Sequence, residues 1–267
     1  MSLGKQIRLK RIFSHPSGRL CSVAIDHFIC YADGLPAGLR NLPEALRAIL
    51  PGCPDAVTMF KGAALGCWPM HAGSAALIIQ GGCFTPDERV IESLVTPKEV
   101  VRLGGDAIAF SIGVRGHNEG RFIRMLSDIV EAAAQFDLPV IAHIYPRDMG
   151  TSPVKVLQDA ENIAWAVRVG VECGADVIKV AYTGDPTSYG QIVRSSPVPV
   201  VAAGGPKSST LLASLEQMAG VIKSGARGAT IGRNIWGQPD PALALRAFKA
   251  IIHDDRPPSE AIKLASK

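Results

Sequence analysis

Eight short apolar runs recur along the whole chain and leave it very few folds to choose from. They cover residues 21–26, 56–60, 75–80, 107–114, 139–145, 177–182, 198–203 and 229–235. Each has strand length, and helical periodicity appears between several of them. Residues 90–103, 121–136, 154–173 and 211–224 carry it most clearly. Gly174-Ala175-Asp176 and Gly225-Ala226-Arg227-Gly228 read as helix stops that lead into strands. Eightfold strand–helix alternation predicts an α/β chain folded as a single (β/α)8 TIM barrel, one domain over 1–267 with peripheral termini. The rival is an open doubly wound sheet, but no glycine-rich dinucleotide turn follows the first run. Arg256-Pro257-Pro258 breaks a late helix.

At 267 residues with 47% hydrophobic side chains, the chain can bury a large core. The formal charge of +4 is too small to argue for nucleic acid but suits a small anionic substrate. The six cysteines form no C-x-x-C pair and no His/Cys cluster with zinc spacing, so they are expected to be reduced thiols of a cytoplasmic protein. No secretory pattern opens the chain and no apolar run has membrane-spanning length. Neither a metal nor a cofactor is expected, nor a membrane partner.

Within the sixth run, Asp176-Val177-Ile178-Lys179-Val180-Ala181-Tyr182, a lysine interrupts apolar residues. Lysine is rarely buried unless paired, and an ammonium in apolar surroundings tends to lose its proton. A neutral amine in a pocket attacks carbonyls, so Schiff-base chemistry is expected at Lys179. Lowering its pKa from about 10.4 to about 7–8 costs roughly 3–5 kcal/mol. Burial with a nearby cation, Lys61 or Lys207, is one way to supply that. The bland alternative is a strand-end lysine that reaches water or pairs with Asp176 or Asp185.

In a barrel, chemistry gathers at the carboxyl ends of the strands. Those ends carry Asp26 and His27, then Lys61, His143 and Tyr145, and Lys179. Alternation places Tyr145 on the face of His143 and Lys179 on the face of Ala181, so phenol and amine can approach from neighbouring strands. Taken alone, Tyr145 reads as a core ring with a wet hydroxyl, and Asp26 as a helix cap.

The seventh and eighth runs lead into Gly204-Gly205-Pro206-Lys207 and Gly232-Arg233-Asn234. Glycine turns let backbone N–H groups converge on an anion, and the loops after strands 7 and 8 are the usual phosphate site of this fold. Gly204, Gly205, Lys207, Gly232 and Arg233 are therefore the expected anchor. Gly81-Gly82 reads as a turn, and Gly34 and Gly38 as part of a covering loop. His71 and His117 read as surface residues, and Trp165 as core.

Tyr182-Thr183-Gly184-Asp185-Pro186, Gly204-Gly205-Pro206-Lys207 and Gly232-Arg233-Asn234-Ile235-Trp236, in this order across about residues 20–250, resemble the archaeal-type class I fructose-bisphosphate aldolases. These belong to the deoxyribose-phosphate aldolase superfamily. The resemblance implies a (β/α)8 barrel, a Schiff-base lysine at Lys179, a proton-transferring Tyr145 and a phosphate site at the last two loops. It also implies that Asp26 contacts the reacting part of the substrate, and that the chain forms homo-oligomers, pentamers or decamers. The chain departs from the sugar aldolases at His143, where they tend to carry tryptophan, and at Phe28, where a glycine often follows the Asp-His pair. Both changes fall near the non-phosphate half of the substrate. The family also includes transaldolase-like enzymes that make an amino-dideoxy-ketoheptonate precursor, and a thiolase-like enzyme.

The expected activity is thus a class I aldolase, a lyase of carbohydrate metabolism that acts on a phosphorylated ketose or related oxo compound. Catalysis would rest on Lys179, Tyr145 and Asp26. His27, Lys61, His143 and the loop residues would bind substrate. A transaldolase- or thiolase-like reaction, an isomerase or synthase that uses acid–base groups alone, and a non-catalytic sugar-phosphate sensor are the alternatives.

Overall fold

The computed structural model describes residues 1–27, 29 and 34–266. Its frame is eight strands: β1 (Leu20–Ala24), β2 (Ala56–Met59), β3 (Ala76–Gln80), β4 (Ala107–Val114), β5 (Val140–Asp148), β6 (Val177–Val180), β7 (Val200–Ala203) and β8 (Gly228–Ile231). Neighbours in sequence pair in parallel, β1 pairs with β8, and the sheet closes into a barrel. The helices are α1 (Leu3–Ile12), α2 (Leu42–Ile49), α3 (Lys61–Cys67), α4 (Pro97–Arg102), α5 (Glu119–Ala134), α6 (Ala160–Glu172), α7 (Pro186–Ser195), α8 (Leu211–Lys223), α9 (Arg233–Trp236), α10 (Pro241–Asp254) and α11 (Pro258–Ala265). The expected (β/α)8 architecture is the one observed.

Strand alternation sorts the core into two layers. Val23, Val57, Ile79, Phe110, Ala142, Ile178, Ala202 and Ile231 point outward and pack with the helices in the larger apolar cluster. Leu20, Ala56, Ala76, Ala107, Val177 and Val201 belong to a smaller cluster that fills the lower barrel, and Ile12 of α1 packs beneath it. Higher in the same inward rows the residues become polar: Ser22, Thr58, Gln80, His143, Lys179 and Thr230 are all buried. A polar layer above an apolar floor is what makes the top of this barrel a site.

The N-terminus is more than a peripheral tail. Helix α1 closes the barrel floor with Ile12 fully buried, and Lys5 Nζ lies 3.0 Å from Asp176 while Arg11 Nη1 lies 3.1 Å from Asp106. The C-terminal α11 also buries Ala261 and Ala265 against the body of the protein.

Several sequence boundaries move, each for a local reason. The helix expected over 90–103 starts only at Pro97. Thr96 and Glu99 form a reciprocal capping box there, and the residue before a proline is held extended. Upstream, Gly82–Phe84 and Ile91–Ser93 pair antiparallel instead. The eighth strand ends at Ile231 rather than 235, because α9 begins at Arg233. Trp165, expected in the core, is 41% exposed. Its indole N–H donates to Glu119, and the Arg115 guanidinium lies 4.3 Å from the ring centroid.

Cys21, Cys53, Cys67 and Cys173 are free thiols. Cys83 is disulfide-bonded, which corrects the expectation of thiols throughout, since spacing along the chain does not reveal which sulfurs meet in space. No helix among the described residues is long and apolar enough to cross a membrane.

Candidate active site

Lys179 stands on β6 in register with His143 of β5 on one side and Val201 of β7 on the other. It is 6% exposed. Among the described residues it forms no ion pair. The two carboxylates that might have claimed it are engaged elsewhere: Asp176 takes Lys5 and the Val140 N–H, and Asp185 caps α7 through the Ser188 N–H at 2.7 Å. Burial pushes the Lys179 amine below its usual pKa, and the negative charge of Asp26 partly opposes this. Lys61 and Lys207, the cations expected to help, do not contribute; desolvation does the work.

Asp26 follows β1 and is held from β3. Gln80 Nε2 donates to Asp26 Oδ2 at 2.8 Å. The same nitrogen lies 2.9 Å from Ser111 Oγ on β4 and 3.3 Å from His143 Nδ1 on β5. One amide on β3 thus links the segment after β1 with β4 and β5. His143 is buried, and its pKa falls well below the ordinary histidine value, first through burial and then through Lys179 and His27. Tyr145 lies two residues further up β5 on the same face, half-buried, with its ring 6.2 Å from that of Phe84.

His27 links this cluster to the last two loops. Its Nδ1 is 3.6 Å from Asp26 Oδ1, and its ring meets Trp236 edge-on at 5.4 Å. Burial is the largest influence on its pKa, with Lys179 and Arg233 adding to it and Asp26 opposing it; together they lower it to about 4. A Cβ on Gly232, just before Arg233, would sit 2.4 Å from His27 Cε1, so a larger residue there would displace the His27 ring. Across the way, Gly205 has φ +70° with open space around it, a backbone that only glycine adopts without strain.

Asn234, buried behind these loops, fastens them together. Its amide N–H groups donate to the carbonyls of Gly204 and Pro206, and its Oδ1 accepts from the Ser208 N–H at 2.9 Å. Arg233 Nη2 donates to the Gly205 carbonyl at 3.3 Å, and Lys207 is exposed at the rim. Gly204, Gly205, Lys207, Gly232 and Arg233 therefore come together around one corner of the barrel mouth, a positive corner suited to an anion.

Lys61 is not drawn into this constellation. It opens α3, and its amine lies 3.0 Å from Glu99 at the start of α4. Phe28 lies outside the described residues. Gly38 packs against Trp236, where a Cβ would come 2.4 Å from the Trp236 carbonyl oxygen. Sequence reasoning missed Gln80, Ser111 and Asn234 as organising residues. Gln80 had a signal: it is a polar residue closing an otherwise apolar strand, the same reasoning that singled out Lys179. Among the described residues no group of three or more His, Cys, Asp or Glu side chains is placed to hold a metal ion.

The fold is the (β/α)8 barrel of the aldolases, with a buried lysine on its sixth strand whose pKa is lowered by burial. The sequence model of the DeoC/LacD family aldolases matches residues 20–238, and the chain belongs to that family. It is 32% identical over 265 residues to the 2-amino-3,7-dideoxy-D-threo-hept-6-ulosonate synthase of Halobacterium salinarum, covering 98% of this chain and 96% of that protein. It is 30% identical to the class 1 fructose-bisphosphate aldolase of Thermoproteus tenax, covering 95% and 97%. Among solved structures, an archaeal fructose 1,6-bisphosphate aldolase superposes with a TM-score of 0.82 at 30% identity, over 94% of this chain and 99% of that one. A structure of an archaeal fructose-1,6-bisphosphate aldolase with its catalytic lysine covalently bound to the carbinolamine intermediate of the substrate gives 0.81 at 29% identity, over 93% and 99%.

Proposed function

We propose that this chain is a class I aldolase that uses Lys179 to break or form a carbon–carbon bond in a phosphorylated ketose or related oxo compound. The observation that carries the reading is the buried Lys179 amine, without an ion pair among the described residues and pushed toward its neutral form. The phosphate sits at the corner formed by Gly204, Gly205, Lys207, Gly232 and Arg233. Fixing that end holds the carbonyl next to Lys179, so binding energy becomes orientation.

The amine lone pair attacks the carbonyl carbon, and the carbonyl oxygen takes a proton to give a carbinolamine. Loss of water leaves an iminium. In the cleavage direction a substrate hydroxyl β to the iminium carbon gives up its proton, and its oxygen electrons close to an aldehyde. The electrons of the broken carbon–carbon bond flow into the iminium and leave an enamine. Asp26, held by Gln80, binds that hydroxyl or accepts its proton. Tyr145 moves protons at the carbinolamine oxygen and at the enamine carbon. Hydrolysis of the reprotonated iminium frees Lys179. His143, poorly able to take a proton, lines the non-phosphate half as a neutral hydrogen-bonding group, and His27, with its pKa likewise lowered, stands between Asp26 and the phosphate corner.

A second outcome, transfer of the enamine to another acceptor, is supported by the synthase name of the Halobacterium relative and by His143 beside the lysine. Borohydride reduction in the presence of dihydroxyacetone phosphate, fructose 1,6-bisphosphate and other phosphorylated oxo compounds, read by intact mass, tests the lysine chemistry. The expected result is a substrate-sized mass gain in the wild type that is lost in Lys179→Met. A gain that persists in Lys179→Met, or phosphorylated ketose turnover at the wild-type rate in that variant, would refute the assignment.

A further inference from the structure

We propose that Gln80 is a positioning residue that locks His143 as its Nε2–H tautomer, so that the site offers a fixed N–H donor beside Lys179 and selects substrates with an accepting oxygen on the carbon next to the Schiff base. This deepens the aldolase reading and rests on it for the substrate; the tautomer itself stands on the geometry around Gln80.

Gln80 is 3% exposed, so its amide orientation has consequences that solvent does not soften. The amide atom 2.8 Å from Asp26 Oδ2 faces an oxygen that only accepts when ionised, so that atom is the NH2 group. Its second proton is directed at Ser111 Oγ, 2.9 Å away, and His143 Nδ1, 3.3 Å away. A proton on Nδ1 would point at the positive end of the amide, whereas a lone pair there is attracted to it. The side chain therefore accepts only one arrangement of the imidazole: Nδ1 bare and Nε2 protonated. Burial together with Lys179 and His27 keeps the ring from taking a second proton.

Nε2 makes no hydrogen bond among the described residues. His143 and Lys179 are register partners on neighbouring strands, so a donor on the free end of the ring lies beside the amine that binds substrate. A neutral imidazole that donates from Nε2 orients an oxygen but releases no proton at neutral pH. The oxygens that fit are the hydroxyl or oxo group adjacent to the attacked carbonyl, as in an α-hydroxy ketone or an α-dicarbonyl compound. A ketone with a plain methylene at that position leaves the donor unsatisfied, and a site built around a hydrogen bond discriminates strongly against the analogue that lacks it. The same Gln80 nitrogen side ties His143 to Asp26, so one amide sets two substrate-facing groups at once.

The chain holds six histidines, few enough for direct assignment. Long-range proton–nitrogen NMR of protein labelled with nitrogen-15 histidine, with His143→Gln to identify the signals, reads the tautomer in wild-type protein without substrate. The expected spectrum at neutral pH shows a pyridine-like Nδ1 and a pyrrole-like Nε2, with loss of that single pattern in Gln80→Leu. An Nδ1–H tautomer or a charged ring in the wild type overturns the lock, whatever happens to the variant. Borohydride trapping of the wild type with dihydroxyacetone phosphate, run in parallel, keeps the two ideas apart: failure to trap strikes at the aldolase reading and leaves the tautomer result standing. For selectivity, trapping at equal concentration of dihydroxyacetone phosphate and its deoxy analogue acetonyl phosphate is expected to favour the hydroxyl compound at least tenfold in the wild type. This preference is expected to shrink in His143→Gln and in Gln80→Leu. Equal trapping of both compounds by the wild type refutes the substrate-selecting role.

Discussion

Replacing Lys179 with methionine should abolish Schiff-base formation and at the same time make the protein more stable. Free in the unfolded chain, the amine holds its proton up to about pH 10.5; folding lowers that value, chiefly by burial. Between the folded pKa and 10.5 the unfolded state binds more protons than the folded state, so stability rises with pH across that window. Below it the full penalty of Lys179 is present. Methionine matches the length of the lysine stem, is unbranched and adapts to irregular space, so the swap leaves no large cavity. Replacing a buried ion pair with apolar residues of similar volume is often neutral or stabilising by about 1–4 kcal/mol, and removing a lone buried amine relieves the same kind of desolvation penalty. Asp26 loses an attractive cation in the exchange but keeps its Gln80 hydrogen bond, which places the net gain near the lower end, about 1–2 kcal/mol. At about 2–4 °C per kcal/mol for a chain of this size, Tm should rise by about 2–8 °C at pH 7. Urea unfolding of both proteins at pH 7 and pH 10 checks this, and the advantage of the variant should shrink at the higher pH. A variant that is less stable than wild type at pH 7, or whose advantage is the same at both pH values, would refute the claim that burial of an unneutralised amine strains this site.

Other consequences follow from the same structure. Ile12→Ala opens a cavity where α1 closes the barrel floor, and a loss of about 2–4 kcal/mol in urea unfolding is expected, with trapping at Lys179 retained below the transition because the site is at the opposite end. His27 should titrate near pH 4 in histidine NMR, against 6.5 when free. Because the folded value is depressed, its contribution to stability is complete above pH 6.5 and is lost as pH falls toward 4. Arg233→Met should raise that midpoint, since the guanidinium lowers it.

The barrel was legible because its signal is local. Eight apolar runs of strand length, separated by helical periodicity and punctuated by glycine, specify alternation, and alternation leaves little choice of architecture. The details that escaped were those set by capping or by distant contact. The helix expected from residue 90 waits for the Thr96–Glu99 box, and Trp165 leaves the core because Glu119 and Arg115 offer its indole partners at the surface. Helix α1 reads as a polar tail until Asp176 and Asp106 supply counter-ions and the barrel floor supplies an apolar seat for Ile12.

The candidate site divides along the same line. Lysine in the middle of an apolar strand is conspicuous in one dimension, because the cost of burying a charge depends mainly on the residues around it. The sequence by itself therefore determined the fold class, the lysine and the glycine loops that follow the last two strands. Only the tertiary structure decided that Lys61 turns to Glu99, that burial rather than a neighbouring cation lowers the Lys179 pKa, and that Gln80 joins Asp26, Ser111 and His143. Those contacts span 31 to 63 residues of chain. A hydrogen bond with geometry this strict depends on the closing of the barrel, which no local pattern of residues encodes.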